Sequence, residues 1–321
     1  MRLSALALVV IVAAVAWAVL SPGPGKPGAK PVTVIFSKGE GVLAIGRGLA
    51  HAGVVRSGGM FAAIAELSGS ASQLKAGEYA FPSRSTLFQV LRTLRLGLVV
   101  RHFVTIPEGL TSQAVAEILR RSLVLAGPTL VAPEGALLPE TYEVRLGETR
   151  AELTRRMERA RDRLLAKLWA ARSPGLPYRS PQDAVILASV VEKETALAAE
   201  RPRVAAVFIN RLKLGMRLES DPTVIYGLTG GAPLGHGLTR SELRSATPFN
   251  SYRLAGLPPG PIDNPGRASL SAALEPLKTQ DLYFVANGTG GHAFSATLAQ
   301  HTLNVAHWRL IEHAAKARAN R

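Results

Sequence analysis

The chain has 321 residues, 47% of them hydrophobic, and no long polar tract, so we expect it to fold around a sizeable core. Its length favours two domains over one. The formal net charge of +15 would suit nucleic acid, but no zinc-ligand spacing, helix-turn-helix pattern or RNA-binding aromatic signature accompanies that charge. We therefore do not expect a nucleic-acid partner.

The N-terminal segment is strongly apolar. Leu3 to Leu20 is an uncharged run of eighteen residues behind Arg2, which is long enough to span a bilayer. A cleaved signal peptide is the alternative, with small residues at 14–18 as its cleavage site, but its apolar core is typically only about 7–15 residues long. We therefore predict a transmembrane anchor over residues 1–21, with the N-terminus in the cytoplasm and the folded body outside.

A small module is predicted behind the anchor. Residues 22–30 are dense in proline and glycine and form a stiff linker. The module itself covers residues 31–97, and hydrophobic periodicity predicts the following elements: a strand over 31–36, helices over 41–51 and 60–67, a strand over 74–82 and a helix over 85–96. This is an α+β unit without a concentrated polar constellation, which argues for binding or spacing and not for chemistry.

The second domain is predicted from residue 98 to the end of the chain. A strand over 99–106, a helix over 113–121 and a turn-rich loop over 134–142 precede a long helix over 148–172. That helix places five arginines largely off its apolar stripe: Arg155, Arg156, Arg159, Arg161 and Arg163. A solvated face is the simplest interpretation, and anionic lipid head groups or an anionic cell-wall polymer are the partners that its charge favours in an exported protein.

A helix predicted over residues 181–197 carries the strongest chemical signal. Ser180 is placed as its N-cap, with Pro181 at the first helical position. In that phase, the residues three to eight positions before Glu194 on its own face are all apolar: Val191, Val190, Leu187 and Ile186. A carboxyl held against apolar neighbours loses solvation of its charged form, so we expect a raised pKa and a general acid. Glu192 and Lys193 are interpreted as surface charge.

Beyond this helix the sequence predicts a helix over 204–214 and irregular segments over 227–237, 248–252 and 256–262. The chain closes with a strand over 282–286, a tight turn over 287–292 and a helix with a basic tail. Asp221-Pro222 is interpreted as an ordinary turn. Loops of small and polar residues around a helix-borne acid suit an extended cleft, because they let a ligand approach the backbone closely.

Other chemistries lack their sequence signals. No pair of histidines shows metal-ligand spacing, the glycines at 288–291 lack the lysine of a phosphate loop, and no Gly-x-Ser-x-Gly elbow occurs. Five acids fall within a short stretch, which allows a glycosidase that uses two carboxylates: Glu192, Glu194, Glu200, Glu219 and Asp221. The spacing along the chain does not give their separation in space.

Several strings carry a resemblance to a known family. They are the run Ala-Ser-Val-Val-Glu-Lys-Glu-Thr at 188–195, Ser-Asp-Pro-Thr-Val-Ile-Tyr-Gly at 220–227, Asn-Ser-Tyr at 250–252 and Gly-Leu-Pro-Pro-Gly at 256–260. From residue 31 to about residue 310, the chain resembles the membrane-anchored endolytic murein transglycosylases of the MltG or YceG-like family. The resemblance implies a LysM-like module over 31–97 and a YceG-like catalytic domain over 98–321, a mixed α/β domain with a helix-borne glutamate in a glycan cleft.

The resemblance also implies an activity and a place. The family's catalytic acid corresponds to Glu194 in this chain. The implied reaction cuts the β-1,4 bond between N-acetylmuramic acid and N-acetylglucosamine in nascent peptidoglycan and leaves 1,6-anhydro ends. Such cuts would help to terminate glycan elongation. The implied location is the bacterial inner membrane, with the catalytic domain on the periplasmic side and peptidoglycan synthases as partners. No metal or cofactor is implied. The alternatives are a hydrolase that uses a second carboxylate and a non-catalytic peptidoglycan-binding scaffold.

Further site residues are predicted around this acid. Six are expected to bind sugar or position the acid: Ser220, Asp221, Thr223, Tyr226, Asn250 and Tyr252. Glu219 stands where the family usually has glutamine, so a second carboxylate is expected near the cleft.

Overall fold

The computed structural model describes residue 10 and residues 13–319, with side chains as far as residue 315. It has the mixed α+β class predicted from the sequence, with helices and three two-stranded sheets. Residues 13–20 are helical, but most of the predicted anchor over 1–21 lies outside the described residues. Within the described part, no helix has the length and apolar character needed to cross a membrane.

The chain divides into two compact units. The first runs to Phe103 and also includes Glu143–Glu148, whereas the second comprises Val104–Tyr142 and everything from Thr149 onwards. The boundary between the two units therefore falls within two strands, one over His102–Thr105 and the other over Thr141–Val144.

In the first unit, a two-stranded sheet packs with three helices. Strand β1 (Val32–Phe36) pairs antiparallel with β2 (Gly77–Phe81), with Val34 opposite Tyr79. The helices are α1 (Val42–His51), α2 (Gly58–Leu67) and α3 (Leu87–Leu96). Sequence signals explain the ends of α3, since Thr86 and Gln89 form a capping box at its start and Gly97 adopts a left-handed conformation at its end.

The core of the first unit is apolar and closely packed. It is built around fully buried side chains from both strands and all three helices, including Phe36, Leu49, Phe61, Tyr79, Phe81, Val90 and Leu94. Helices α1 and α2 approach closely where Gly46 faces Gly58, because a Cβ atom at Gly46 would lie 2.3 Å from the carbonyl oxygen of Gly58. Side chains larger than hydrogen would push these helices apart.

The second unit is mainly helical. From residue 102 onwards the elements in chain order are β3 (His102–Thr105), α4 (Ser112–Arg121), β4 (Thr141–Val144), α5 (Arg150–Ala171), α6 (Pro181–Glu194), α7 (Arg201–Lys213), α8 (Asp221–Thr229), α9 (Arg240–Leu243), α10 (Arg267–Leu274), β5 (Tyr283–Ala286), β6 (His292–Ser295) and α11 (Leu298–Ala319). The unit boundary falls within β3 and within β4, and all the other elements belong to the second unit. β3 pairs with β4, and β5 with β6 in an antiparallel hairpin.

Helix α6 forms the centre of the second unit. Every residue from Ala184 to Val191 is buried. One face, with Leu187, packs against α7, and the other, with Val185, packs against α5 and α10. A helix that is apolar on all sides needs partners on all sides, so the end of α6 is held firmly in the unit.

The structure corrects several predicted elements. α6 begins at Pro181 with Ser180 as its cap, as predicted, but it ends at Glu194 and not at 197. The stretch predicted to be a turn at Asp221-Pro222 is the start of helix α8, where proline is tolerated because the first turn has no hydrogen bond to lose. α9 and α10 lie outside the segments predicted to be irregular, in stretches where no element was predicted, and the loop predicted over 134–142 gives way to β4 at Thr141.

Candidate active site

The carboxyl of Glu194 is the centre of the candidate site. Glu194 is the last residue of α6, and its Oε1 accepts a short hydrogen bond from the hydroxyl of Ser220. Burial raises the pKa of Glu194 to about 7, and the negative charge of Asp221 adds to the rise. The hydrogen bond from Ser220 and the positive charge of Arg211 act in the opposite direction. Glu194 can therefore hold a proton near neutral pH.

Ser220 is presented to Glu194 by the start of α8. It occupies the N-cap position of that helix, but its hydroxyl makes no capping bond and donates to Glu194 instead. The residue is only 2% exposed. Its backbone N–H donates to Ser251 Oγ over 2.8 Å, and its carbonyl oxygen accepts from Thr223 Oγ1 over 2.6 Å. Both sides of the Ser220 backbone are thus fixed by buried hydroxyls.

Glu219 is a partly exposed carboxylate next to this serine. Its φ of +54° lies in the left-handed region, which non-glycine residues rarely adopt. Its Oε2 lies 3.2 Å from Arg211 Nη1. The buried guanidinium of Arg211 also donates to the carbonyl oxygen of Leu218 over 2.8 Å and to that of Leu282 over 2.7 Å. Glu219 is therefore near the site, as a carboxylate paired with an arginine.

Asp221 and Tyr226 lie on α8, and Tyr252 contacts α8 from a later loop. Tyr252 donates its hydroxyl to Asp221 Oδ1 over 2.7 Å, and burial followed by this contact raises the pKa of Tyr252. Tyr226, one and a half turns further along α8, donates to Glu134 Oε2 over 3.3 Å and packs edge-on against Phe249. Asp221 acts on Glu194 through its charge. These side chains retain exposed surface that a ligand could contact.

Asn250 and Thr223 have no exposed surface. Asn250 Nδ2 donates to the carbonyl oxygens of Leu243 and Ser245 over 3.0 and 2.8 Å, and its Oδ1 accepts from the N–H of Tyr252. With their polar atoms in use inside the protein, these two side chains are suited to shaping the site and not to contacting a sugar.

Glu192 was misjudged from the sequence. Its side chain is only 5% exposed, and Arg201 Nη2 lies 2.8 Å from its Oε1. Its Oε2 accepts from the N–H of Gly266 over 2.9 Å, and Arg201 also contacts Glu108 at 3.4 Å. The interpretation as surface charge was wrong because the partners come from α7 and from two loops far away in the sequence. Lys193 is exposed, as predicted.

Sequence reasoning missed four polar residues of this unit: Arg211, Ser251, Glu134 and Asp263. Burial raises the pKa of Glu134, which accepts from the N–H of Ser112 over 2.7 Å. Asp263 is fully buried and, among the described residues, neither of its oxygens has a hydrogen-bond partner. Burial raises its pKa well above the usual range. Only Ser251 had a usable signal, since it lies between two residues singled out from the sequence.

The arrangement suits proton transfer by one carboxyl. Glu194 holds a proton near neutral pH because its charged form is poorly solvated, yet Ser220 and Arg211 stabilise that charged form once it appears. Both neighbouring carboxylates already have partners: Glu219 forms an ion pair with Arg211, and Asp221 accepts a hydrogen bond from Tyr252. The site can therefore donate a proton and take one back through the same group.

Comparisons with known proteins point to one family. A family model described as the YceG-like family matches residues 34–307. An endolytic murein transglycosylase of Streptococcus pneumoniae D39 is 29% identical over 327 residues, covering 86% of this chain and 58% of that protein. A protein of the same name from Bacillus subtilis 168 is 44% identical over 115 residues, covering 36% of this chain and 31% of its own. This chain thus spans little more than half the length of the streptococcal relative.

A solved structure also resembles this chain. The crystal structure of a yceG-like protein from Listeria monocytogenes superposes with a TM-score of 0.54 and 27% identity, covering 85% of this chain and 98% of that one.

Proposed function

The chain belongs to the YceG-like family, and from that premise we propose that it is an endolytic lytic transglycosylase of peptidoglycan. Its substrate is the β-1,4 bond between N-acetylmuramic acid and N-acetylglucosamine in nascent glycan strands, and its product carries a 1,6-anhydro end. The names of its streptococcal and bacillar relatives support this assignment. The observation that carries it is the partly buried carboxyl of Glu194, whose pKa is raised to about 7 by burial and which accepts a hydrogen bond from the hydroxyl of Ser220.

In the proposed reaction, Glu194 acts twice. Its carboxyl first gives a proton to the glycosidic oxygen as the bond from that oxygen to C1 of the muramyl sugar breaks. The resulting carboxylate then takes the proton of the C6 hydroxyl as O6 bonds to C1. Because Ser220 occupies Oε1, Oε2 is the oxygen that gives and takes the proton. No water molecule enters the product, which distinguishes this reaction from glycoside hydrolysis.

The two remaining parts of the proposal concern place and attachment. We propose that residues 1–21 anchor the chain as a single pass in the inner membrane, with both units on the periplasmic side; the apolar run from Leu3 to Leu20 supports this.

The first unit is proposed to be a LysM-like glycan-binding module. A groove of about 740 Å³ in this unit supports that role, and its lining includes Lys38, Lys75 and Arg145. Peptidoglycan synthases would then supply the strands that are cut.

The end chemistry of the products tests the activity. Purified protein is incubated with glycan strands, and the new ends are identified by mass spectrometry. We expect 1,6-anhydro ends, and a loss of at least about 100-fold in rate for Glu194→Gln, the scale of general acid–base catalysis. Asp162→Asn, at an exposed acid of α5, is the matched control and should cleave at the parental rate.

Two results would contradict the proposal. Reducing ends in place of anhydro ends would show a hydrolase, with Glu219 or Asp221 as its second carboxylate. Binding of glycan without cleavage by the parental protein would show a scaffold.

A further inference from the structure

Two buried hydroxyl groups, those of Ser251 and Thr223, close a ring of hydrogen bonds with the backbone N–H and carbonyl groups of Ser220. Ser220 N–H donates to Ser251 Oγ over 2.8 Å, Ser251 Oγ lies 2.7 Å from Thr223 Oγ1, and Thr223 Oγ1 donates to the carbonyl oxygen of Ser220 over 2.6 Å. Since the hydroxyl of Thr223 donates to that carbonyl, the hydroxyl of Ser251 has two acceptors within reach, Thr223 Oγ1 at 2.7 Å and the carbonyl oxygen of Ser220 at 3.3 Å. Each hydroxyl of the ring then donates one hydrogen bond and accepts at least one.

The ring cannot contact substrate directly. Ser251 and Thr223 have no exposed surface, and Ser220 is 2% exposed. Its one link to the chemistry is the hydroxyl of Ser220, which is free of the ring and donates to Glu194 Oε1. Buried hydrogen-bonded networks of this kind hold their members in one conformation, because any rotation leaves a polar group unsatisfied.

Ser251 also fixes the residue before Ser220. Its carbonyl oxygen accepts from the N–H of Glu219 over 3.2 Å, at the position where the backbone adopts a φ of +54°. A left-handed conformation at a glutamate is costly and persists only where surrounding contacts impose it. Ser251 therefore holds two successive N–H groups, those of Glu219 and Ser220, and so sets the direction in which the Ser220 side chain leaves the backbone.

From this geometry we propose that Ser251 is a positioning residue of the reaction, which acts with Thr223 to hold the Ser220 hydroxyl against the carboxyl of Glu194. The proposal rests on the proposed role of Glu194 as the acid. Ser251 does not touch the reacting atoms, and its effect reaches them through Ser220. Loss of the ring frees the Ser220 hydroxyl to turn away, so the charged form of Glu194 loses its hydrogen bond and the carboxyl loses its fixed orientation.

The test compares removal of each ring hydroxyl with a matched substitution elsewhere. Ser251→Ala and Thr223→Val remove one hydroxyl each, and Thr223→Ser restores the second. Ser269→Ala is the control, because Ser269 is equally buried in α10 and its hydroxyl has no hydrogen-bond partner among the described residues. Two quantities are measured for every variant: kcat and KM on glycan strands, and the titration midpoint of the Glu194 carboxyl by ¹³C NMR, assigned with Glu194→Gln.

We expect kcat to fall about tenfold in Ser251→Ala and Thr223→Val, the scale of one lost buried hydrogen bond, with KM nearly unchanged. The midpoint of Glu194 should move to higher pH in both, because the bond that favours its charged form is weakened. Thr223→Ser should recover most of the lost kcat, and Ser269→Ala should match the parent.

Parental kcat and an unchanged Glu194 midpoint in Thr223→Val would overturn the proposal, even if Ser251→Ala failed to fold. The titration needs no substrate. A parent that does not cleave glycan would therefore overturn the proposed function, while a shifted midpoint in the variants would still support the positioning role.

Discussion

Three carboxyl groups of the second unit, those of Glu134, Glu194 and Asp263, are held in surroundings that favour their protonated forms. Burial is the main cause for all three. The unfolded chain would expose these groups to water and return their pKa values to the ordinary range, so the folded state binds their protons more tightly than the unfolded state does. The contribution of each group to the free energy of unfolding is therefore fully present below the pKa that the group has in the unfolded chain, and it is lost as the pH rises through the pKa that the group has in the folded protein. The acid of the proposed reaction thus destabilises the fold at neutral and alkaline pH.

Replacement of Glu194 by glutamine should stabilise the protein in a pH-dependent way. At pH 8 we expect Glu194→Gln to be more stable than the parent by about 1–3 kcal/mol, since one pKa unit corresponds to about 1.4 kcal/mol and the side chain is only partly buried. At pH 4, where both side chains are neutral, the difference should nearly vanish. Urea unfolding at the two pH values measures it. An equal gain at both would show that the ionisation of Glu194 does not cost stability.

At the scale of elements, the last turn of α6 places the acid. Its apolar residues fix the helix in the core, and the pair formed by Glu192 and Arg201 fixes its end. Arg201 lies in the first turn of α7, and the N–H of Gly266 donates to the second oxygen of the Glu192 carboxylate. Gly266 packs so closely on this network that a Cβ atom there would lie 1.9 Å from Glu108 Oε1. The position of Glu194 therefore depends on contacts two residues before it.

Breaking this buried pair should be costly. We expect Glu192→Ala to destabilise the protein by about 3–5 kcal/mol, because it leaves the buried guanidinium of Arg201 without its main partner. Glu192→Gln, which can still accept from Gly266, should cost less. Asp162→Ala removes an exposed acid of α5 and should change stability by less than about 1 kcal/mol. Chemical denaturation of the three variants compares them, and similar losses for Glu192→Ala and Asp162→Ala would argue against a structural role of the pair.

The elements differ in how far the sequence predicts them. α6 was predictable because its cap, its first-turn proline and its apolar run are all local signals. α8 was missed because Asp-Pro begins turns as well as helices, and only Thr223 and Val224 of this short helix are buried. The role of Glu192 depends on Arg201, nine residues later, and that of Ser251 on a contact 31 residues away. Such long-range pairs leave no periodicity in the sequence.

At the scale of the whole molecule, each unit has its own core. That of the first unit is centred on Phe61 and Tyr79, and that of the second on α6 and the helices around it. The candidate site is built entirely from residues of the second unit, because Glu194, Ser220, Ser251 and their partners all lie beyond residue 103 and outside 143–148. Local stability follows the packing of each core.

Damage to the first core should therefore leave the second unit protected. Phe61→Ala removes a fully buried ring and should destabilise the first unit by about 3–5 kcal/mol. Amide hydrogen exchange should then quicken in α1, α2 and β2, whereas α6 and α7 keep parental protection. Phe88→Ala, at a side chain that is 54% exposed, should change neither unit appreciably. Loss of protection in α6 together with α1 would show that the units unfold as one.

The ends of two helices meet at Glu194. It is the last residue of α6, where unpaired carbonyl groups concentrate partial negative charge. Its carboxyl accepts from Ser220, the N-cap residue of α8, where unpaired N–H groups concentrate partial positive charge. The dipole of α6 favours the protonated acid, and the dipole of α8 favours the carboxylate. In the proposed reaction Glu194 loses a proton and regains it within one turnover, and helix dipoles of opposite sign leave both of its charge states accessible.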